Sequence, residues 1–311
     1  MAQRKANRSR AGPAGPKSGS PHSAGGRRPD LRQRWVIPLL IAGAALHAFS
    51  NSFSGSFVFD DIRAIPENRH IRQLWPLSEA MAIPPQTAIS GRPVVSLTLA
   101  LNYALGGLNV WGYHAFNLAI HILAGLALFG IVRRTIASMK QRDLERSEAD
   151  WMAAAVSLIW VVHPLLSESV VYVIQRTELL MGLFLLLTLY FFIRGASSAR
   201  PGIWYCASVV SCGLGMASKE VMVAAPVLVL LYDWVFLTGS VRASLRRRWG
   251  VYASLAATWS ILAVLTAGKP RANVIGLGFS NLTPWQYLMT QSDVIVHYLR
   301  LSLWPDGLCA D

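Results

Sequence analysis

The sequence predicts an all-α protein, a polytopic integral membrane helix bundle of about seven to eight spans with interfacial helices in its first outer loop. Of the 311 residues, 53% are hydrophobic and only 14% are charged, well below the quarter that is usual for soluble domains. Apolar runs recur along the chain without the periodicity of amphipathic surface helices. Long runs of this kind are typical of membrane spans.

The chain divides into a polar tail and an apolar remainder. Residues 1–34 are rich in Arg, Gly, Pro and Ser and predict a disordered basic tail on the cytoplasmic side. Residues 35–311 predict the transmembrane domain, with the first outer loop at 51–112. This domain is expected to be incomplete, because no closing element follows Trp304-Pro305. Spans are predicted at about 35–49, 111–132, 151–166, 179–193, 203–217, 221–237 and 250–267.

Three further segments are predicted to be helices at or near the membrane interface. Two of them, Ile71–Met81 and Arg92–Leu105, lie in the first outer loop among Trp and Tyr residues, which favour that depth. The third covers 284–303, where polar residues recur at alternating steps of four and three. Such a helix lies on the membrane surface or lines a polar cavity. Its polar stripe consists of Gln286, Thr290, Asp293, His297 and Arg300.

The net charge of +13 first suggests a nucleic-acid partner, but the positions of the basic residues argue against one. Twenty of the 29 Lys and Arg residues lie on one side of the membrane when the N-terminus is cytoplasmic, as the positive-inside rule requires. The predicted partner is therefore the lipid bilayer. The same charge distribution places the N-terminus in the cytoplasm and the loop at 51–112 on the outer face of the membrane.

Asp60 and Asp61 are adjacent carboxylates at the point where the first predicted span gives way to the outer loop. At that depth an acid reaches a lipid-borne substrate without the cost of a charge at the bilayer centre. A simpler interpretation is a helix start, in which Asp60 caps the following turn and Asp61 interacts with the helix dipole. These two residues alone leave both interpretations open.

Two further outer segments carry charges to the same face, Arg176 with Glu178 and Lys219 with Glu220. Each pair alone is equally well a solvated turn, and Arg176 alone could snorkel to the headgroups. Together with the acid pair they supply what transfer of a sugar from a lipid phosphate needs. Cations hold the leaving phosphate, and a carboxylate accepts the proton of the incoming hydroxyl.

Three polar residues of the second span, His114, Asn117 and His121, share one helix face because they are spaced i, i+3 and i+7. Helix-to-helix hydrogen bonding is preferred over substrate contact as their role. No cluster of His, Asp or Glu and no set of cysteines has metal-ligand spacing. No metal site is therefore predicted, although the acid pair is compatible with a divalent ion in a complex.

A series of short motifs, taken in order, resembles a single family. The motifs are Phe57–Asp61, Gly91–Pro93, Leu101–Gly107, Trp111–His114, His163-Pro164, Gln175–Glu178, Ser218–Glu220, Leu231–Asp233 and Tyr298–Arg300. With them the chain resembles, over roughly residues 35–311, the transmembrane and tetratricopeptide-repeat O-mannosyltransferases and their bacterial relatives. These are glycosyltransferases of the multi-span GT-C fold. The sequence given contains no repeat with a period near 34 residues.

The resemblance implies a membrane glycosyltransferase that uses a polyprenyl-phosphate donor. Such an enzyme moves a sugar, mannose or another hexose, to an acceptor hydroxyl on a protein acceptor. The resemblance thereby implies a location in the cell inner membrane, or in the ER membrane of a eukaryote, with the active face periplasmic or lumenal. The resemblance places the catalytic base in the acidic motif. Which aspartate serves is left open, with Asp60 favoured as the base and Asp61 as the positioning residue. No cofactor is expected beyond the donor substrate itself.

The same motifs supply the remaining candidate site residues. Arg92, Arg176 and Lys219 are the candidates for binding the phosphate of the donor. The candidates for lining the substrate pocket are His114, His163, Glu178 and Glu220.

A multi-span transporter or lipid flippase is the main alternative, and a membrane scaffold without chemistry is the third. Transporters place ionisable groups near the bilayer midplane and often contain an internal repeat. Here the acidic residues cluster at the ends of predicted spans, and no repeat relates the two halves of the sequence. Replacing Asp60 and Asp61 by asparagine distinguishes the three classes, because only the enzyme loses sugar transfer while its expression and membrane insertion stay normal.

Overall fold

The computed structural model describes residues 31–82, 87–139, 146–267 and 283–306. Within these ranges all regular secondary structure is helical, which confirms the predicted all-α membrane bundle. The first helix begins at Leu31, inside the segment predicted to be a disordered tail. The rest of that predicted tail lies outside the described residues.

Thirteen α-helices are present in the described ranges. They are α1 Leu31–Ala48, α2 Asp60–Ala64, α3 Leu77–Ala80, α4 Pro93–Gly106, α5 Val110–Ser138, α6 Arg146–Val161, α7 Ser167–Val171, α8 Arg176–Ala196, α9 Pro201–Met216, α10 Ala225–Tyr232, α11 Val241–Ala257, α12 Trp259–Ala267 and α13 Pro284–Leu303. Short 3-10 turns at Ser50–Ser54, His70–Arg72, Pro164–Leu166, Val173–Gln175 and Glu220–Ala224 connect several of them, and a π-helical segment at Asp233–Thr238 follows α10.

Four helical segments are long and apolar enough to cross a membrane, namely Val110–Ser138, Val173–Ala196, Glu220–Thr238 and Val241–Ala267. The pair formed by α6 and α7 makes a fifth if its two parts, bent by 53°, count as one span. Trp35–Ala48 and Pro93–Gly106 are shorter apolar helices. Every predicted span thus overlaps helical residues, although the spans predicted at 151–166 and 250–267 are each divided into two helical parts. The predicted total of seven to eight spans stays a prediction.

α5 is the central helix of the bundle, and it packs against α1, α6 and α8. Apolar side chains such as Ile41, Leu118 and Val161 lie fully buried between these helices. α8 also packs against α9, where Phe192 and Met216 belong to a second core that continues into α11. α8 therefore contributes side chains to both hydrophobic cores.

Polar residues on one face of α5 form hydrogen bonds with neighbouring segments. This confirms the predicted role of two of the three residues on that face, Asn117 and His121. Asn117 donates to the carbonyl oxygens of Val170 and Val173 at 3.4 and 3.2 Å. A ring nitrogen of His121 lies 2.8 Å from the carbonyl oxygen of Val161. Buried polar groups in a membrane bundle need such partners, because lipid offers none.

One local prediction is wrong. Ile71–Met81 is not one helix but a 3-10 turn at His70–Arg72 followed by the single turn of α3. The break falls before Pro76, since the residue preceding a proline is driven out of the helical region. The segment between the spans predicted at 151–166 and 179–193 contains α7 and the first residues of α8. Arg92–Leu105 is confirmed as a helix by α4, with Pro93 in the first turn, where its missing N–H is not needed.

Candidate functional site

The acidic motif lies on a turn held against the start of α5. The ring of Phe57 packs edge-on against that of Tyr113, with their centroids 5.3 Å apart. Phe59, the next aromatic residue, has a backbone φ of +45°, a conformation that is unusual for a bulky side chain and is found where the surrounding structure enforces it. Its ring lies edge-on to Tyr172. This turn directs the two following carboxylates in different directions.

Asp60 is exposed, whereas Asp61 is 1% exposed. Asp61 is held from two sides, because its carboxylate accepts hydrogen bonds from the backbone N–H of Val58 at 3.2 Å and of Ile174 at 2.8 Å. The backbone N–H of Asp60 donates to the hydroxyl oxygen of Tyr172 at 3.0 Å. The capping interpretation of Asp60 is wrong, because Phe59 occupies the N-cap position and no side-chain cap is formed.

Burial raises the pKa of the Asp61 carboxyl from its ordinary value of 3.8 to about 6. The hydrogen bonds from Val58 and Ile174 and the charge of Arg176 act in the opposite direction but are outweighed. An ionised Asp61 therefore costs stability in the folded protein, while Asp60 has the solvent access that Asp61 lacks.

The raised pKa of Asp61 gives a testable pH dependence. Between about pH 4 and pH 6 the folded state binds this proton more tightly than the unfolded state does, so this contribution to stability falls as pH rises through that window. We expect a change of about 2 to 3 kcal/mol, because one pKa unit corresponds to about 1.4 kcal/mol. The measurement is the difference in unfolding free energy between the wild type and Asp61→Asn in detergent from pH 4 to pH 7. A difference that stays constant with pH contradicts the assignment.

Arg176, at the start of α8, is fully buried and ties three helices together. Its guanidinium donates to the side-chain oxygen of Asn117 at 2.7 Å and to the carbonyl oxygens of Thr98 and Tyr113 at 3.2 and 3.1 Å. The ring of Phe116 lies beneath it, 4.6 Å away. The guanidinium of Arg176 therefore points into the bundle, where it connects helices, and it does not reach the surface.

Two ion pairs join the remaining charged candidates. Arg92 pairs with Glu220 at 3.1 Å, and Lys219 pairs with Glu178. Each cation is about one-fifth exposed and each glutamate about one-third exposed. The sequence predicted these charges at one face but did not predict which would pair.

A continuous path of contacts leads from the ion pairs to the acidic turn. Lys219 contacts Glu178 in the first turn of α8, and the residues just before that turn include Ile174, whose N–H holds Asp61. We call this region, the end of the bundle that contains Asp60, Asp61 and the two ion pairs, the acid end. All four charged segments that the sequence singled out thus meet at one end of the helix bundle.

The Gly91-Arg92-Pro93 motif shapes the entry into α4. Gly91 has a φ of +74°, which favours glycine, Arg92 is the N-cap residue and Pro93 is the first residue of the helix. Arg92 donates through Nη1 to the carbonyl oxygen of Ala88 at 2.8 Å. Its Nε is buried and has no hydrogen-bond partner in the part of the chain that the structure describes. The guanidinium of Arg92 is therefore held through its other two nitrogens, by Ala88 and Glu220.

The two candidate histidines differ in their surroundings. His114 is 2% exposed, and neither ring nitrogen has a partner among the described residues. It lies under Gly55, where an added Cβ would come within 3.0 Å of Nε2. His163 instead connects two elements, since its Nδ1 accepts from the N–H of Leu165 at 3.3 Å and its Nε2 lies 3.1 Å from the carbonyl oxygen of Ser302 in α13.

Two contributors to the site were missed at the sequence level. Tyr172 holds the backbone of Asp60, and no spacing or motif drew attention to it. Tyr113 supplies a carbonyl oxygen to Arg176, and its hydroxyl donates to the carbonyl oxygen of Gly107 at 3.0 Å. Its position in the Trp111–His114 motif was the available signal. Contacts made by backbone atoms leave no residue-type pattern for sequence reasoning to find.

The fold and the site together define a polytopic helix-bundle membrane protein with a charged site at one end of the bundle. The sequence matches the dolichyl-phosphate-mannose-protein mannosyltransferase family over residues 90–266. Because this match covers more than half of the chain, the protein belongs to that family.

Curated relatives agree with this assignment. The chain is 27% identical to protein O-mannosyl-transferase Tmtc2 of Drosophila melanogaster over 291 residues, 88% of this chain and 30% of the relative. It is 28% identical to human TMTC2 over 210 residues, 64% of this chain and 24% of the relative, and 30% identical to human TMTC4 over 58% of this chain and 27% of the relative. The chain thus spans roughly a quarter of these relatives' length. No solved structure matches it.

Proposed function

We propose that the protein is a membrane glycosyltransferase that transfers a sugar, mannose or another hexose, from a polyprenyl-phosphate donor to a hydroxyl of a protein acceptor. The observation that carries the proposal is the division of the acid pair into an exposed Asp60 and a buried, backbone-held Asp61 at the same end as two cations. Family membership supports the reaction class, and the names of the relatives, protein O-mannosyl-transferases, support the protein acceptor.

In the proposed reaction the acceptor hydroxyl oxygen attacks the anomeric carbon of the donor sugar. Its proton passes to the carboxylate of Asp60, a general base with access to solvent. The bond between the anomeric carbon and the phosphate oxygen breaks, and the electron pair leaves with the polyprenyl phosphate. Asp61 does not touch the reactants in this mechanism. It is a positioning residue that fixes the turn through Val58 and Ile174.

Arg92 and Lys219 are the residues proposed to bind the phosphate of the donor. Both are partly accessible. Cations at this position stabilise the negative charge that develops on the leaving phosphate. Arg176 is assigned a structural role, since its donors are already directed at protein oxygens.

Activity with a panel of donors tests the proposal. The purified full-length chain is incubated with a peptide acceptor and polyprenyl-phosphate sugars that differ in the sugar, and transfer is measured by mass spectrometry. We expect Lys219→Gln to raise the KM for the active donor about tenfold, as the loss of one charge-assisted contact to phosphate implies. The exposed Arg63→Gln serves as the control at the same end and leaves KM unchanged. Absence of transfer from every donor contradicts the proposal.

The proposed orientation places the acid end on the periplasmic or lumenal side, because the predicted cytoplasmic segments carry most of the Lys and Arg residues. The test is labelling of single cysteines with a membrane-impermeant maleimide in a variant without native cysteines. We expect the exposed position of Ser56→Cys to react from outside intact cells, and the exposed position of Ser197→Cys to react only after the membrane is opened. The reverse pattern contradicts the orientation.

A further inference from the structure

A second polar region lies at the opposite end of the bundle from Asp60. It is a cavity of about 660 Å³ between α1, α5, α6 and α8. His114 at the acid end and Arg134 at the cavity are twenty residues apart on the continuous helix α5. At about 1.5 Å per residue they are separated by roughly 30 Å, close to the thickness of the hydrocarbon core of a bilayer. The cavity therefore faces the other leaflet.

Two arginines and one aspartate line this cavity. Arg133 is neutralised by Asp150, with which it forms two hydrogen bonds, one of them 3.0 Å long between Nη2 and Oδ2. Arg134 has no carboxylate within ion-pair distance among the described residues. Its guanidinium instead lies over the ring of Tyr190, 5.6 Å from the centroid. Among the described lining residues, Arg134 is thus the cation that no carboxylate pairs with, and its guanidinium is oriented by the Tyr190 ring.

The other lining residues that the structure describes are mostly apolar and suited to the membrane interface. Trp35 is 69% exposed and belongs to the lining, together with Leu126 and Phe129. Tryptophan is enriched at the depth of lipid headgroups, where one part of its ring is in contact with acyl chains and another with water. A cavity with a cation on one wall and such residues on the others matches the boundary between the phosphate and the acyl chains of a phospholipid.

Space for the Tyr190 ring depends on a glycine. A Cβ added at Gly130 would lie 2.5 Å from Cε2 of Tyr190, so the ring occupies the place of a side chain. The ring in turn supports the guanidinium of Arg134. The guanidinium of Arg134 is therefore held in place by the Tyr190 ring, which is itself packed against the backbone of α5 at Gly130.

We infer that this cavity binds the phosphate-bearing headgroup of an anionic phospholipid of the leaflet opposite the acid end, with the phosphate on Arg134 and the glycerol region against Trp35. Arginine binds phosphate oxygens through two parallel N–H groups, and basic pockets between membrane helices at the cytoplasmic side recognise anionic headgroups. The cavity volume lies in the range of sites for whole small molecules, about 300–1,000 Å³, which is more than a free phosphate ion fills. The inference does not depend on the proposed reaction.

Native mass spectrometry of the purified full-length protein tests this inference. The protein is titrated in detergent with phosphatidylglycerol or phosphatidylcholine, and the dissociation constant of the first bound lipid is compared. We expect wild-type protein to prefer phosphatidylglycerol about tenfold, because the choline cation of phosphatidylcholine neutralises its phosphate and is a like charge beside Arg134. Arg134→Gln removes the preference, and Arg134→Lys, which keeps the charge without the planar fork, retains part of it.

The matched control is Arg242→Gln, which removes an exposed arginine that does not line the cavity. It is expected to leave the preference unchanged. An equal loss in this variant, or a full preference in Arg134→Gln, overturns the inference. Competition of phosphatidylglycerol by millimolar inorganic phosphate also overturns it, because the site would then be one for free anions. Thermal unfolding of each variant shows that it is folded, and Arg134→Lys supplies the comparison if Arg134→Gln is not.

Discussion

Asp60→Asn is expected to reduce sugar transfer at least about hundredfold, because removal of a general base costs 10²- to 10⁴-fold in rate. The side chain is exposed, and the hydrogen bond that holds this position comes from its backbone N–H to Tyr172, so the variant keeps the turn intact. The measurement is kcat with the active donor, with the unfolding temperature recorded on the same sample. We expect kcat to fall while the unfolding temperature changes by little.

The control for this substitution is Glu67→Gln, which neutralises another exposed acid of the same loop. It is expected to retain full transfer. Asp61→Asn gives a different pattern, since Asp61 is buried and anchors the turn, and its effect includes a change in the pH dependence of stability. Full activity in Asp60→Asn would refute the assignment of Asp60 as the base, and loss of activity in Glu67→Gln would show a general electrostatic effect.

Arg176→Ala is expected to lower the unfolding free energy by at least about 3 kcal/mol. The substitution removes three hydrogen bonds from the guanidinium, to the side-chain oxygen of Asn117 and the carbonyl oxygens of Thr98 and Tyr113, and a hydrogen bond to a charged group contributes about 1.5–3 kcal/mol. It also leaves a cavity where a fully buried side chain was packed. The measurement is chemical or thermal unfolding in detergent, followed by circular dichroism.

Two variants make the Arg176 result specific. Arg176→Lys keeps the charge but presents one nitrogen instead of a fork, so it recovers only part of the lost stability. Arg63→Ala removes an exposed arginine of the acid end and is expected to change stability by less than about 0.5 kcal/mol. Equal stabilities of Arg176→Ala and Arg63→Ala would show that the buried hydrogen bonds of Arg176 contribute nothing measurable.

The positions of the helices were accessible from the sequence because the lipid-crossing parts of this chain are long apolar runs. Polar spacing on one helix was informative too, since it correctly predicted helix-to-helix hydrogen bonds for Asn117 and His121. The interruption at Trp75-Pro76 was also visible in the residues, yet the surrounding apolar pattern led to the prediction of a single helix.

The burial of Arg176 was not accessible from the sequence. An arginine beside a span end has the same local pattern whether it points to water, to headgroups or into protein. The difference is made by Thr98 and Asn117, which lie 78 and 59 residues earlier in the chain. The same reason explains the unpredicted ion pair of Arg92 with Glu220, whose partners are 128 residues apart. Such pairings depend on tertiary packing, and a single sequence carries no direct signal for them.

The two ion pairs at the acid end have a consequence for selectivity among anions. Arg92 and Lys219 are each matched by a glutamate, so the resting surface offers soluble phosphates and sugar phosphates little net attraction. An anionic ligand must displace the glutamate carboxylate that is paired with the cation, and the protein holds that carboxylate at a high local concentration. A ligand whose hydrocarbon tail lies in the bilayer is confined to the membrane, so its local concentration near the site is also high. A freely diffusing competitor has no such enrichment. In the proposed function, paired cations thereby exclude water-soluble analogues of the donor.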